Sequence, residues 1–434
     1  MRDQLLLRKI VEKTARVGII GLGYVGLPLA MEFARAGFTV TGIDSDAERV
    51  EQLNRGVSYI RDVESNEIAR LIGEKKFQAT TDFEVIAEFD TMNICVPTPL
   101  RKTKDPDLSY ILAAVEMIKK HLQKGQLVIL ESTTYPGTTQ EILLPMLSEG
   151  GFKVGEDFFL AFSPERVDPG NKKFTTKNIP KVVGGITPVC RELAGTLYQQ
   201  SIEKIVLVSS TQVAEMVKLL ENTFRSVNIA LVNEMALMCH YLNIDVWEVI
   251  SAAQTKPFGF MPFYPGPGIG GHCIPVDPGY LSWKAKLKGF DPRLIDLAGL
   301  INSSMPHFVV NKIGEILNDR GKSIKGSKVH LLGVSYKRDI SDTRESPAHD
   351  VAKILLQRGA VLSYTDPFVP EFRVDGQCLK ATKVQPAALH DADCVVIITD
   401  HAGFDYSEIL KHAQVVFDTR NATKGLRSPK IVKL

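Results

Sequence analysis

The sequence predicts an α/β protein: two Rossmann-like, doubly wound parallel-sheet domains joined by a long central helix and helical domain. Three observations predict it. The run Gly21-Leu22-Gly23-Tyr24-Val25-Gly26 sits between a β-rich apolar segment and a helical pattern, where a dinucleotide turn belongs. Apolar strands alternate with helical stretches before residue 209 and again after residue 318. Between them, residues 211–244 (TQVAEMVKLLENTFRSVNIALVNEMALMCHYLNI) run without a Gly or Pro, as one long helix. The expected domains are 1–208, 209–318 and 319–434, the middle one serving as a dimerisation segment.

Taken in order, the opening MRDQLLLRKIVEKTA has too short an apolar centre for a signal peptide and reads as a short amphipathic helix. Val17–Ile20 begins the first strand, a helix runs to Ala36, Gly37 stops it, and a second strand ends at Asp44. Further strands fall at 91–96, 127–132, 158–163 and 204–209. After RGKSIKGS, the stretch KVHLLGVSY is a strand, SPAHDVAKILLQRGA a helix, and VLSYTDP a strand ending at Asp366. ALHDADCVVIITDH echoes the earlier IAEFDTMNICVPTP, so the last domain repeats the logic of the first without its GxGxxG.

The chain has 434 residues, 44% hydrophobic and 24% charged, with a formal charge of +2. Near-neutral charge suggests neither a nucleic-acid nor an anionic-membrane partner. No apolar run reaches the roughly 18–20 residues that span a bilayer. Six cysteines lie scattered, without CxxC pairs or Cys/His ligand spacing. That argues against disulfides and against a metal, and for a reducing, cytoplasmic setting.

Several residues carry chemistry. Gly21 permits the tight turn, Gly23 lets a pyrophosphate approach, and Gly26 allows close helix packing. Asp44 would accept hydrogen bonds from a ribose, which favours NAD over NADP; Arg49 lies five residues on. Lys218 and Asn222 share one helix face, extended by Glu215 and Arg225. That face suits either solvent or a developing alkoxide. FYPGPGIGGHCIPVDP, residues 263–278, offers few side chains to a core and surrounds Cys273 with proline and glycine. A thiol on a rigid loop reads as a nucleophile rather than a small buried hydrophobe; His272, its neighbour, would point elsewhere. In SPERVDPG, Glu165 or Asp168 would activate water or be loop acids in solvent. Thr133 ends a strand in ESTTYPGTT and would hold cofactor or an ordered water. SYKRDISDTRESP, residues 335–347, would clasp a diphosphate through Lys337 and Arg344 or be a salt-bridged loop.

Together GLGYVGLPLA, CVPTP, ESTTYPGTT, SPERVDPG, KLLENTFRSVNIALVNE, GPGIGGHCIPVDP and SYKRDISDTRESP resemble the UDP-glucose/GDP-mannose dehydrogenase family over nearly the whole chain. The resemblance implies two NAD-linked oxidations of a nucleotide sugar at C6, through a cysteine thioester, in a homodimer or larger assembly built on the long helix. Val276, in place of a lysine, resembles the branch acting on N-acetylated sugars; Gly279 stands where relatives carry an aromatic residue. UDP-N-acetylglucosamine is the implied substrate, with UDP-N-acetylmannosamine and UDP-glucose as alternatives. A two-electron hydroxyacid dehydrogenase or a silent nucleotide-sugar-binding protein would fit fewer of these motifs. By the same resemblance Cys273 is the nucleophile, Lys218 and Asn222 stabilise the oxyanion, and Asp277 activates water with Glu165 and Thr133. Gly21, Gly23, Tyr24, Val25, Gly26, Asp44, Arg49, Pro97, Thr98, Thr133 and Arg344 hold NAD. Glu165, Arg166, Lys218, Asn222, Tyr264, Gly270, Lys337 and Arg420 contact the sugar nucleotide.

Overall fold

Short runs of β-branched and aliphatic residues build the first sheet: β1 (Arg16–Ile20), β2 (Thr39–Ile43), β3 (Phe77–Thr80), β4 (Thr91–Ile94), β5 (Leu127–Leu130), β6 (Phe159–Phe162), β7 (Lys181–Gly185) and β8 (Ile205–Leu207). The computed structural model describes residues 2–60, 62–101, 105–167 and 173–434, so Asp168 lies outside the described residues. The chain divides into two units, Met1–Glu221 and Asn222–Leu434. In the first, the strand order is β3-β2-β1-β4-β5-β6-β7-β8. All pairs are parallel except β6 with β7. Central strands are covered on both faces, which explains their unbroken apolar runs: every residue of β5 is fully buried. The N-terminal helix Arg2–Val11 sinks Leu6 and Ile10 into the same core.

The helix Thr211–Leu242 crosses from the first unit into the second. Helices Val246–Ala253, Asp277–Leu287 and Arg293–Asn318 follow. The second sheet uses β9 (Lys328–Leu332), β10 (Val361–Thr365), β13 (Cys394–Ile397), β14 (Val416–Asp418) and β15 (Ile431–Lys433), all parallel, in the order β10-β9-β13-β14-β15. An antiparallel hairpin, β11 (Glu371–Val374) with β12 (Gln377–Lys380), intervenes. The predicted fold class is therefore the observed one. Two features departed from simple alternation: the reversed β7 and this hairpin, which stands in sequence where the first unit has β3.

The repeat extends to atoms. Gly21 (φ +92°) ends β1, and a Cβ there would lie 2.7 Å from the Cys95 carbonyl oxygen; Gly333 (φ +75°) ends β9, and its Cβ would lie 2.3 Å from the Thr399 carbonyl oxygen. The Gly21 N–H donates to Ile43 and the Gly333 N–H to Thr365. The next N–H, of Leu22 or Val334, donates to the carboxylate that ends the second strand, Asp44 at 2.9 Å or Asp366 at 2.7 Å. Only glycine takes such an angle against a backbone carbonyl without strain.

Inside the second sheet, His330 is buried between Ser363 (2.8 Å) and Thr365 (3.1 Å), and burial lowers its pKa to about 4. In the unfolded chain the value returns to near 6.5, so the unfolded state binds the extra proton between those limits. This contribution to stability is full above pH 6.5 and is lost as pH falls toward 4. Denaturant titrations should show a loss of up to about 3 kcal/mol over that window, absent from His330→Asn.

Candidate active site

In the first unit, the turn after β1 leads into the helix Gly26–Arg35, whose N-terminus no side chain caps. A Cβ on Gly26 would fall 1.8 Å from the Gly21 carbonyl oxygen, so the helix can start this close to the turn only with glycine there. At Gly23 a Cβ would meet nothing within 4 Å: the space beside the turn is open. Uncapped N–H groups, a positive dipole end and an open approach fit a pyrophosphate. Asp44, nearly buried, orders the turn through Leu22 and accepts from the Asp46 N–H at 3.0 Å, leaving lone pairs for ribose hydroxyls. Arg49 lies 3.2 Å from Asp46 and 3.9 Å from Asp44, over the Tyr59 ring at 5.6 Å. The Tyr59 hydroxyl donates to the Leu22 carbonyl at 2.6 Å, a brace on the turn that sequence reasoning missed. Tyr24 and Val25 form the turn's rim, Tyr24 half exposed. Pro97 and Thr98 follow β4, and Thr133 follows β5, at the carboxyl ends of strands beside β1, where such sheets take ligands.

Glu165 belongs to a network that no motif announced. Its Oε1 accepts from the backbone N–H groups of Arg166 (2.7 Å) and Val167 (2.8 Å). Its Oε2 lies 3.2 Å from Lys181 Nζ, which is 2.6 Å from Glu131. Glu131 accepts further hydrogen bonds from the Tyr198 hydroxyl and from Asn93 at 3.1 Å. Burial alone would raise the Glu165 pKa; Lys181 and the two N–H donors outweigh it and hold the group below its usual value. Burial would likewise neutralise Lys181, yet its two carboxylates keep it charged. Arg166 is spoken for by Glu221 (2.5 Å) and the Pro180 carbonyl (2.6 Å).

On the long helix, Glu215 accepts from the N–H groups of Gly137 (2.5 Å) and Thr139 (2.9 Å), tying the Thr133 loop to the turn before Lys218. Burial raises the Glu215 pKa to about 7 against these donors. Glu215, Lys218 and Asn222 are buried, so this face is not a solvated stripe; Arg225 alone is exposed.

In the second unit, Asn222 donates to the buried Asp277 carboxylate. Cys273 is exposed one turn before the helix Asp277–Leu287, its carbonyl accepting from the Asp277 N–H at 2.8 Å. The loop behind it rests on the carboxyl ends of the second sheet. A Cβ on Gly266 would lie 2.5 Å from the Arg420 guanidinium; one on Gly270 would lie 2.7 Å from Tyr336 Cβ and 2.9 Å from the Glu345 carbonyl oxygen. Arg420 is anchored to the Ile398 carbonyl at 2.9 Å. His272 meets Asp342 at 3.0 Å and the Tyr336 ring edge-on. Although half buried, Asp342 is held well below the usual carboxylate range by His272 and Arg344. Arg344 pairs with Asp342 at 2.8 Å, and Lys337 sits in the same loop. Tyr264 stacks on Trp247 with its hydroxyl 3.2 Å from Gln254. The cavity of about 540 Å³ at the end of β10, lined by Asp366, Phe368, Lys383 and Phe404, lies away from the Cys273 loop. Asp366, the counterpart of Asp44, is closed to a ribose: Val334, Ser335, Phe368, Val369 and His401 all donate to it.

Comparison with known proteins matches residues 15–202 to the NAD binding domain of the UDP-glucose/GDP-mannose dehydrogenase family, 212–304 to its central domain, and 330–425 to its UDP binding domain. The chain belongs to this family. It is similar to the UDP-N-acetyl-D-glucosamine 6-dehydrogenase of Pseudomonas aeruginosa, 38% identical over 82% of this chain and 84% of that one. It is also similar to the UDP-N-acetyl-D-mannosamine dehydrogenase of Pyrococcus horikoshii, 35% identical over 94% and 96%. The solved structure of a UDP-D-ManNAc dehydrogenase from Pyrococcus horikoshii superposes with a TM-score of 0.88 at 34% identity, covering 96% of this chain and 98% of that one. The protein is thus an NAD-dependent nucleotide-sugar dehydrogenase, an oxidoreductase. Among the described residues no helix is long and apolar enough to cross a membrane.

The loop geometry makes a prediction. In Gly270→Ala the new methyl must displace Tyr336 or the Glu345 carbonyl, shifting Cys273, while the dinucleotide turn is untouched. Turnover should fall by at least about tenfold, as misplaced catalytic groups do, with NAD affinity by fluorescence titration unchanged.

Proposed function

We propose that the enzyme oxidises the C6 hydroxyl of a UDP-N-acetylhexosamine, first of all UDP-N-acetylglucosamine, to the uronate through a thioester on Cys273. One observation carries the proposal: an exposed thiol one turn before a helix whose first residue, Asp277, is a buried carboxylate held by Asn222. A simple two-electron dehydrogenase has no use for such a thiol. The similarity to both N-acetylglucosamine and N-acetylmannosamine enzymes supports an N-acetylated sugar, and Val276 in GGHCIPVDP supports the same branch.

NAD, bound afresh for each oxidation, would supply the hydride acceptor twice. In the first, C6 gives up a hydride and its hydroxyl proton passes to water, leaving an aldehyde, while Lys218 and Asn222 stabilise negative charge on the oxygen. The Cys273 sulfur then adds to the aldehyde carbon. Loss of the second hydride from the thiohemiacetal gives the thioester. Water attacks the thioester carbon, giving up a proton to the carboxylates Asp277 and Glu165, with Thr133 holding the water; the carbon–sulfur bond breaks and the thiolate is restored. Retaining the aldehyde on sulfur prevents its escape, which requires the thiol to be fixed to within roughly half an ångström.

Asp44, Arg49 and the glycine turn hold NAD, together with Tyr24, Val25, Pro97, Thr98 and Arg344; Lys337, Arg420, Arg166, Tyr264 and Gly270 serve the sugar nucleotide. The chain works in three parts, 1–208 for NAD, 209–318 for catalysis and dimerisation, and 319–434 for UDP. Support for a homodimer comes from Leu220, Phe224, Leu231 and Met238, large apolar residues exposed along the central helix. Scattered cysteines support a cytoplasmic location.

NADH yield, read by absorbance with limiting UDP-N-acetylglucosamine, UDP-N-acetylmannosamine and UDP-glucose in parallel, tests the proposal. About two NADH per sugar are expected, with UDP-N-acetylglucosamine the best substrate, and Cys273→Ala should lose four-electron turnover. A yield of one would leave Cys273 without a role.

A further inference from the structure

Lys181, Glu131 and Tyr198 form a buried polar set in the first unit. Side-chain exposures are 4% for Lys181 and 0% for Glu131, against 13% for Glu165. Burying ions is costly, and well-packed apolar residues stabilise a core as well or better. A buried ion set is therefore weak as a stabiliser, and its use must lie in the field it makes. Within the set, Glu165 is the member that reaches the surface.

We propose that Lys181 is a positioning residue for Glu165, fixing its rotamer and keeping it an ionised proton acceptor, with Glu131 holding Lys181 in place. The geometry constrains every part. Glu165 Oε1 is tied to two backbone N–H groups and Oε2 to Lys181, so the carboxylate cannot swing. Lys181 in turn is held by Glu131 at 2.6 Å and lies over the Tyr198 ring at 5.3 Å. Tyr198 and Asn93 donate to the other Glu131 oxygen, so this carboxylate is committed before Glu165 is considered. Among the described residues, the ionisable groups near Glu165 include Lys181 on β7, Glu131 after β5, Cys95 after β4, Tyr198 on the helix Pro188–Gln199, and the adjacent Arg166, which pairs with Glu221. Burial keeps Cys95 and Tyr198 as neutral thiol and phenol. Lys181 is thus the cation that offsets the burial of Glu165, and its removal raises the pH at which Glu165 loses its proton. No motif marks Lys181 in the sequence; its partners Glu131 and Glu165 are brought to it only by folding.

The inference rests on the proposed use of Glu165 as proton acceptor, and the test separates the two. Lys181→Met alone strands two buried carboxylates and risks misfolding, so the informative variant is Glu131→Gln/Lys181→Met, compared with Lys181→Arg and Glu165→Gln. Each is checked for thermal unfolding and NAD binding, and kcat is followed from about pH 3.5 to 10 with UDP-N-acetylglucosamine and, in parallel, UDP-N-acetylmannosamine. Glu165→Gln should lose at least about tenfold in kcat and lack the wild-type acid limb. The double variant should show that limb moved up by at least about one pH unit, and Lys181→Arg should restore it. If Glu165→Gln is impaired but the double variant keeps the wild-type limb, Lys181 has no positioning role and the inference is overturned. If Glu165→Gln retains wild-type rate and limb, the reading of Glu165 falls and the inference with it.

Discussion

Contacts too close for any side chain set the geometry on which the chemistry depends. In the first unit the Gly26 position leaves 1.8 Å between a notional Cβ and the Gly21 carbonyl oxygen. In the second, Gly266 and Gly270 let the Cys273 loop lie directly on Arg420, Tyr336 and the Glu345 backbone. Both are steric limits rather than attractive bonds, and interiors packed near crystal density do not relax around an added methyl group. The glycine turn after β1 and the Cys273 loop are thus held by the same device. The loop's prolines add rigidity by restricting φ in the unfolded chain as well as the folded one.

Around these fixed backbones the charges are arranged to oppose their own burial. Glu165 stays ionised beside Lys181, Asp342 beside His272 and Arg344, and Asp277 lies buried against the Asn222 amide. The two Rossmann-like sheets show the contrast most plainly. They share the glycine, the following N–H and the acid that ends the second strand, yet Asp44 keeps acceptor capacity while Asp366 is saturated by four backbone N–H groups and His401. One fold, used twice, ends its second strand on an acid with acceptor capacity to spare in the first case and on one that stiffens its own loops in the second. Lys337 and Arg344 lie in the loop after β9 and Arg420 after β14, at the carboxyl ends of the second sheet.

Much of this was legible in the sequence, and the reasons are physical. The glycine turn, the helix over 211–242 and the strand ending at Asp366 are written in local pattern: glycine spacing, an uninterrupted helical period, an apolar run closed by an acid. The echo between residues 86–99 and 388–401 proved structural, since β4 flanks β1 as β13 flanks β9. What stayed hidden depends on distant pairing. Lys181 acquires its partners only when Glu131, fifty residues away, is brought to it. Tyr59 likewise carries no motif; its place on the glycine turn follows from folding. Glu215 and Asn222 were visible as a stripe, but whether that stripe faced water or protein could be decided only by what packs on it.

On the proposed mechanism Cys273 carries the sugar covalently, as a thiohemiacetal between the two oxidations and as a thioester after the second. The most direct measurement is mass spectrometry of enzyme quenched in acid during turnover with UDP-N-acetylglucosamine, followed by peptide mapping of the loop 263–278. The account predicts a substrate-derived adduct on Cys273, sensitive to hydroxylamine and enriched in Asp277→Asn. Steady turnover to the uronate with Cys273 unmodified at every time, in both wild type and Asp277→Asn, would contradict it.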